Sequence, residues 1–282
     1  MTFKRAKKID LINSVTGKVW DMKGVVNEAN EHESFNTVSD GYNIVQHQEI
    51  VDLVKKVLED KNLKPRTSIL ELNHGGRIHI DLTFPEITLD VEDNGQAVPL
   101  KCTYDNSYDG STGLRLEVGA ESPSGKGFLW VGDVVKALED KYYHRHTKGV
   151  DIQKFEKKLE KGMESYQTKI KEHFKRMFKT PVTNQAATAF LDDVIDVKGI
   201  SAKYVKSIQK EVNISSIKNK WQLYCIICDV ISSEASSIDV RNRQLNLIIN
   251  RLHKKIKSSE TIEVTQLDQS VIPALNRISL VG

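Results

Sequence analysis

The stretch "SILELNHGGRIHIDLTF", residues 68–84, decides the fold class. From Arg77 onward its residues alternate strictly: Ile78, Ile80, Leu82 and Phe84 on one side, Arg77, His79, Asp81 and Thr83 on the other. A period of two is the pattern of a strand, whose successive side chains point to opposite faces. "SILELN" precedes it across the turn "NHGG", and the two read as a hairpin. "ITLDVE" (87–92) and "AVPLKCTY" (97–104) follow, joined by "DNGQ", where Asn94-Gly95 suits a tight turn. "TGLRLEVGA" (112–120) is a further strand. Strands in series, each a hairpin step from the last, predict an antiparallel meander of about five strands with one face wet and one covered.

Helical spacing brackets this meander. "GYNIVQHQEIVDLVKKVLED" (41–60) places Ile50, Leu53, Val54, Val57 and Leu58 on one stripe and stops short of Pro65. "WVGDVVKALEDKYYHRH" (130–146) is expected to be a short helix. "DIQKFEKKLEKGMESYQTKIKEHFKRMF" (151–178) aligns Ile152, Phe155, Leu159, Met163, Ile170 and Phe174. That helix would run roughly 40 Å at 1.5 Å per residue, and Pro181 ends it. Amphipathic segments follow at 184–197, 201–212, 219–232 and 239–256. The expected fold is α+β: a β-meander covered by helices, then a helical C-terminal half. The expected divisions are an N-terminal extension (1–40), an α+β core (41–180), a helical region (181–258) and a tail (259–282).

Composition bounds the function. Hydrophobic residues make up 39% and charged residues 28% of the chain, a soluble globular balance. No apolar run approaches the roughly 20 residues that span a bilayer, and the basic start has no apolar stretch behind it, so neither membrane insertion nor secretion is expected. Three cysteines suit a reducing compartment, read here as the cytoplasm. The net charge of +3 conceals an asymmetry: residues 1–150 hold 19 Lys/Arg against 23 Asp/Glu, and the remainder 22 against 15. A polyanion would therefore touch selected surfaces, although solvated helix faces explain the same numbers.

Catalytic motifs are sought and set aside. "GAESPSGKGF" (119–128) resembles a phosphate loop, but five residues separate Gly119 from Gly125, and Gly127 stands where a magnesium-holding hydroxyl belongs. Cys225 and Cys228 have metal-pair spacing without a second pair and fall on the apolar side of a helix. His144 and His146 have no third or fourth ligand at usual spacing, so no metal and no cofactor is expected. Asp192-Asp193 reads as a solvated helix face. No nucleophile–base arrangement emerges, and the chain is expected not to be an enzyme.

Binding remains. "KYYHRHTK" (141–148) combines rings that stack on bases with cations that meet phosphates. "HFKRMFKT" (173–180) repeats the mixture with Lys175, Arg176 and Lys179, although cations there also suit a helix C-terminus. Arg77, His79 and Arg115 lie on the polar face of the meander, where Asp81 and Glu117 oppose them.

Five pieces in order, "GYNIVQHQEIVDLV", "LNHGGRIHIDLTFP", "NSYDGSTGLRLEVGA", "YYHRHTKGVDIQ" and "NKWQLYCIICDVIS", resemble the phage/plasmid-like protein family, a domain of unknown function of phages and mobile elements. The resemblance implies a phage or mobile-element origin and supplies no activity. The cysteine–asparagine pair usual in that family is replaced here by "AESPSGKG", so a role tied to it is not carried over. The order helix, antiparallel meander, long helix is also similar to phage RecT-like single-strand annealing proteins, which hold one DNA strand without ATP and assemble into rings or filaments.

The expectation is thus a single-stranded DNA-binding or annealing protein, a homo-oligomer acting in recombination or replication. Arg77, Lys101, Arg115, Arg145, Lys148, Lys154, Lys175 and Arg176 would supply cations, and Tyr142, Tyr143, His144 and His146 would stack. The alternative is a non-enzymatic virion component or host-defence antagonist that self-assembles.

Overall fold

The computed structural model describes residues 2–92, 97–130, 142–147 and 150–256. The turn expected at Asn94-Gly95, residues 131–141 of the expected short helix, Lys148 and the expected tail lie outside the described residues. The chain divides into two units. The first holds Met1–Leu89, Pro99–Ala120 and Ala137–Thr168; the second holds Asp90–Val98, Glu121–Lys136 and Lys169–Gly282.

The first unit opens with an antiparallel sheet in the order β1 (Ala6–Ile12), β2 (Val19–Asn27), β3 (Asn30–Ser39). The stretch expected as an N-terminal extension (1–40) therefore carries a three-stranded sheet. Its alternation is obscured because the sheet buries only one end: Ala6, Val25 and Val38 pack with Tyr108, while Ile12, Val15, Val19, Trp20 and Met22 are exposed.

Helix α1 (His47–Asp60) follows as expected. The amide of Gln46 just ahead of it pairs with the backbone of Ala6, accepting from its N–H at 3.1 Å and donating to its carbonyl at 2.8 Å. The hairpin is also as read: β4 (Arg66–Leu72), a 3-10 turn at Asn73–Gly75, then β5, in register from Leu72 opposite Arg77 to Arg66 opposite Thr83. However, β5 runs unbroken from Arg77 to Asp90, so two expected strands are one. Pro85 is tolerated because β4 has already ended, leaving no ladder bond on that side for its missing N–H to break. β6 (Ala97–Ser107) and β7 (Leu114–Glu121) continue the antiparallel order.

A second correction concerns Tyr142–His144. These residues form a strand, β9, antiparallel to β7, and not the end of a helix. Period two explains it: Tyr142 is buried and Tyr143 exposed, and aromatic residues suit a pleated surface.

The apolar face of β5–β7 carries Ile78, Ile80, Leu82, Leu100, Cys102, Tyr104, Leu116 and Val118, all buried. Helix α2 (Ile152–Ser165), capped by Asp151 accepting from the amides of Gln153 and Lys154, covers it. Phe155 meets Tyr104 edge-on, and Gly162 lets the helix backbone approach Val118. The long helix expected here is interrupted by a π turn at Tyr166–Ile170 before α3 (Lys171–Lys179), where the chain passes from the first unit to the second.

In the second unit β8 (Phe128–Trp130) packs on α6 (Lys220–Glu234), which also meets α3, α5 (Ala202–Ile214) and α7 (Ile238–Lys255), while α4 (Asn184–Ile195) meets α5 and α7; α4 to α7 match the four amphipathic segments expected. Thr183, Asn219 and Ser237 cap α4, α6 and α7 through their side-chain oxygens. Trp221 packs on Phe174 and donates its indole N–H to Glu92 at 3.0 Å. Ser122–Gly127, the glycine-rich stretch set aside as a phosphate loop, is a tight turn closed by Ser122 N–H to Gly127 O at 2.9 Å. Among the described residues no helix is long and apolar enough to cross a membrane.

A Cβ at Gly162 would lie 2.4 Å from Cγ2 of Val118, whose branched side chain has little rotameric freedom. Gly162→Ala is therefore expected to cost about 1–3 kcal/mol in urea unfolding, and Val118→Ala in the same chain is expected to return part of that loss.

Candidate nucleic-acid interface

The polar face of the first unit's larger sheet is organised by one carboxylate. Asp105 on β6 is 1% exposed and accepts from Arg77 on β5 at 2.9 Å, from Arg115 on β7 at 2.7 and 3.2 Å, and from His79 Nδ1 on β5 at 3.1 Å. His79 Nε2 reaches Asp81 at 3.1 Å, and Asp81 in turn pairs with Lys101 at 3.0 Å. Arg77, His79, Thr83, Thr103 and Glu117 on this face are all buried. The face expected to be wet is thus largely closed, because its charges neutralise one another and not because it is apolar.

Strand pairing extends this face outward. Arg115 lies opposite Tyr143 across the β7–β9 ladder, so the Tyr143 ring stands beside the guanidinium on the same side. The close fit of β9 depends on Gly113, where a Cβ would sit 2.4 Å from the carbonyl oxygen of His144.

Beyond β9 the chain borders a cleft of about 520 Å³ that gathers Tyr143, Arg145, His146 and Thr147, Ser111 to Gly113, and Asn36, Ser39 and Tyr42. Gly110, at φ +71°, makes the turn into this loop. Next to this loop the Asp109 carboxylate accepts from the amide of Ser111 at 2.8 Å and from the side chain of Asn73 at 2.5 Å. Arg145 is exposed, and its guanidinium has no partner among the described residues. His146 is 3% exposed, its ring tilted against Tyr42 at 5.2 Å and both its nitrogens unpartnered.

Beneath this cleft a second polar cluster joins β1, α1 and β6. His47 stacks on Tyr108 with ring centroids 3.7 Å apart. Asn106 donates to His47 Nδ1 at 2.8 Å, so Nε2 carries the proton and donates to Gly75 O at 3.1 Å. The Tyr108 hydroxyl accepts from the His47 amide at 2.8 Å and lies 2.9 Å from the Lys4 carbonyl.

The sequence-derived residues therefore separate. Tyr143, Arg145 and His146 meet at one cleft, with Arg115 and Lys101 on the adjoining face. Arg77 and Tyr142, expected to meet a strand, point inward instead: Arg77 because Asp105 compensates its charge, Tyr142 because its ring packs on Phe155 and its hydroxyl on the Asp151 carbonyl at 3.1 Å. His144 is half-buried, Lys154 is exposed on the first turn of α2, and Lys175 and Arg176 lie on α3 in the second unit. Cleft residues Met22, Asn36, Ser39 and Tyr42 escaped the sequence reading; only "GYN" and "DGSTG", as family landmarks, pointed near them. Among the described residues no group of three or more His, Cys, Asp or Glu is placed to hold a metal ion.

The histidines divide by environment. Burial alone would lower the His79 pKa, but its hydrogen bonds to Asp105 and Asp81 outweigh burial and raise it. Asp81, despite burial, is held down to about 2 by His79 and Lys101. His47 and His146 are pushed down to about 4, chiefly by burial.

Two predictions follow from the signs. A raised His79 stabilises the fold fully below its unfolded value near 6.5, and that contribution fades as pH climbs through the raised value. His47 and His146 act oppositely: their contribution is present above about 6.5 and is lost as pH falls toward 4. NMR titration of the imidazoles is expected to place His79 above 6.5 and the other two near 4, and His79→Gln is expected to remove the alkaline loss of stability. A His79 midpoint at or below 6.5 would rule out the doubly paired imidazolium. Asp105→Asn, which leaves two arginines short of their counter-charge, is expected to cost about 3–5 kcal/mol in urea unfolding.

A family model described as a domain of unknown function (DUF932) matches residues 34–247. No curated protein matches the sequence. The match begins in β3, ends within α7, and takes in every residue of the Asp105 network together with the Tyr143–Thr147 segment. With three-quarters of its length so matched, this chain belongs to the DUF932 family.

Proposed function

We propose that this chain is a single-stranded DNA-binding protein of a phage or other mobile element, non-enzymatic and independent of ATP, serving recombination or replication. One observation carries the reading: Tyr143, an exposed ring, and Arg145, a guanidinium with no protein partner among the described residues, share a cleft whose described lining residues include no carboxylate. Base stacking on an exposed aromatic is worth about 1–3 kcal/mol and tolerates any sequence, and an unpaired arginine meets phosphate without first giving up an internal ion pair. Arg115, partly exposed and opposite Tyr143 on the ladder, and Lys101, further along the same face, add positive charge that Asp105 and Asp81 partly offset. The phage origin rests on the resemblance of the sequence landmarks alone, and annealing and assembly into homo-oligomers rest on the architectural similarity to RecT-like proteins.

The charge balance sets the expected strength. With about one to three phosphates neutralised, log K should fall against log salt with a slope near −1 to −2. Fluorescence anisotropy of a labelled single strand at two salt concentrations, with duplex as control, is expected to show this shallow slope, a preference for the single strand, and a clear loss on Arg145→Ala. No binding at micromolar protein in low salt would reject the proposal.

A second reading, a self-assembling structural or host-interaction protein, draws on the apolar residues exposed along β1 and β2, Ile12, Val15, Val19 and Trp20. Contiguous exposed apolar surface marks interaction sites. If that reading holds, Trp20→Ser alters sedimentation while leaving any strand binding intact.

A further inference from the structure

We infer that the cleft beside β9 takes a single nucleoside monophosphate unit, with its base on Tyr143 and its phosphate on Arg145. This deepens the strand-binding reading by naming the unit the cleft accepts, and it can fail or stand separately.

Size comes first. A cleft of about 520 Å³ falls in the range of small-ligand sites, about 300–1,000 Å³, and is bordered by three separate pieces of the first unit. Such a volume houses one base, sugar and phosphate.

Charge comes second. Of the described residues around the cleft, Arg145 alone carries a permanent charge, in a chain where Asp and Glu number 38. The nearest acid along the bordering loop, Asp109, is tied to Ser111 N–H and Asn73 and does not line the cleft. An anion is therefore favoured over a cation or a neutral sugar. The fixed geometry of guanidinium donors suits a phosphate's paired oxygens.

Shape and hydrogen bonding come third. The Tyr143 ring is more than half exposed at the rim, so it offers a flat face at little ordering cost. Ser39, Ser111 and Thr112, whose side chains carry hydroxyls, are among the lining residues. On the inner side lies His146, buried, its ring tilted against Tyr42.

The test is calorimetric titration of the full chain with dAMP, repeated on Arg145→Gln and Tyr143→Ala. Both substitutions alter exposed side chains, and circular dichroism checks that the fold persists. One site per chain is expected, with affinity falling by about tenfold or more in each variant, the factor that one stacked base or one charge-assisted contact carries. No heat at millimolar dAMP, or binding unchanged in both variants, would overturn the inference.

Competition then identifies the source of the unit. A 5′-phosphorylated oligonucleotide that displaces dAMP, where its 5′-hydroxyl counterpart does not, assigns the cleft to strand ends. Displacement by both assigns it to a nucleotide turned out of a strand, and displacement by neither assigns it to free nucleotides. Single-strand binding in the anisotropy titration without dAMP uptake overturns this inference and leaves the strand reading standing. Uptake of dAMP without strand binding does the reverse.

Discussion

The Asp105 carboxylate is the interaction on which the first unit's polar architecture depends. Four strands meet at it: Arg77 and His79 from β5, Asp105 itself from β6, Arg115 from β7 and, through the ladder partner of Arg115, Tyr143 from β9. Burying cations on a sheet face is expensive unless an opposite charge with good geometry is present. Here one carboxylate accepts from three donors, and Asp81 balances what remains on His79 and Lys101. Because the face is closed by compensation and not by apolar packing, it can lie beside a polar cleft without a break in chemistry.

The second constraint is the His47–Tyr108 stack. It ties the backbone near β1, the start of α1 and the end of β6 to one another through hydrogen bonds that use the Tyr108 hydroxyl and both nitrogens of His47. The loop that leaves this cluster, Gly110 to Gly113, forms one wall of the cleft, and the Tyr143–Thr147 segment forms another. Landmarks scattered over a hundred residues of sequence are therefore neighbours, and the most buried of them serve to hold loops rather than to meet a ligand.

Sequence patterning was a good guide wherever one periodicity had one cause. The alternation of 77–84 and the amphipathic stripes of the C-terminal half specify strands and helices because burial on one face dominates each. It was a poor guide where causes competed. β1 to β3 bury only one end, so their pattern is diluted; residues 77–84 and 87–92 read as two strands because the missing β4 partner at Pro85, which lets one strand run on, is a tertiary fact; "KYYHRH" carried helix-compatible spacing although Tyr142–His144 pair with β7.

The sequence by itself determined the α+β class, the hairpin at residues 66–90, the four C-terminal helices and the residue types able to stack and to bind phosphate. Those features depend on near neighbours in the chain, which composition and spacing record directly. Only the tertiary structure decided which charges are spent and which are free. Arg77 and Arg145 look alike in sequence, yet one is buried on Asp105 and the other is exposed at a cleft with no partner among the described residues. The physical reason is that the availability of a charge is set by partners far away in the chain, brought close by strand register and loop closure, and one sequence read along its length does not contain those distances.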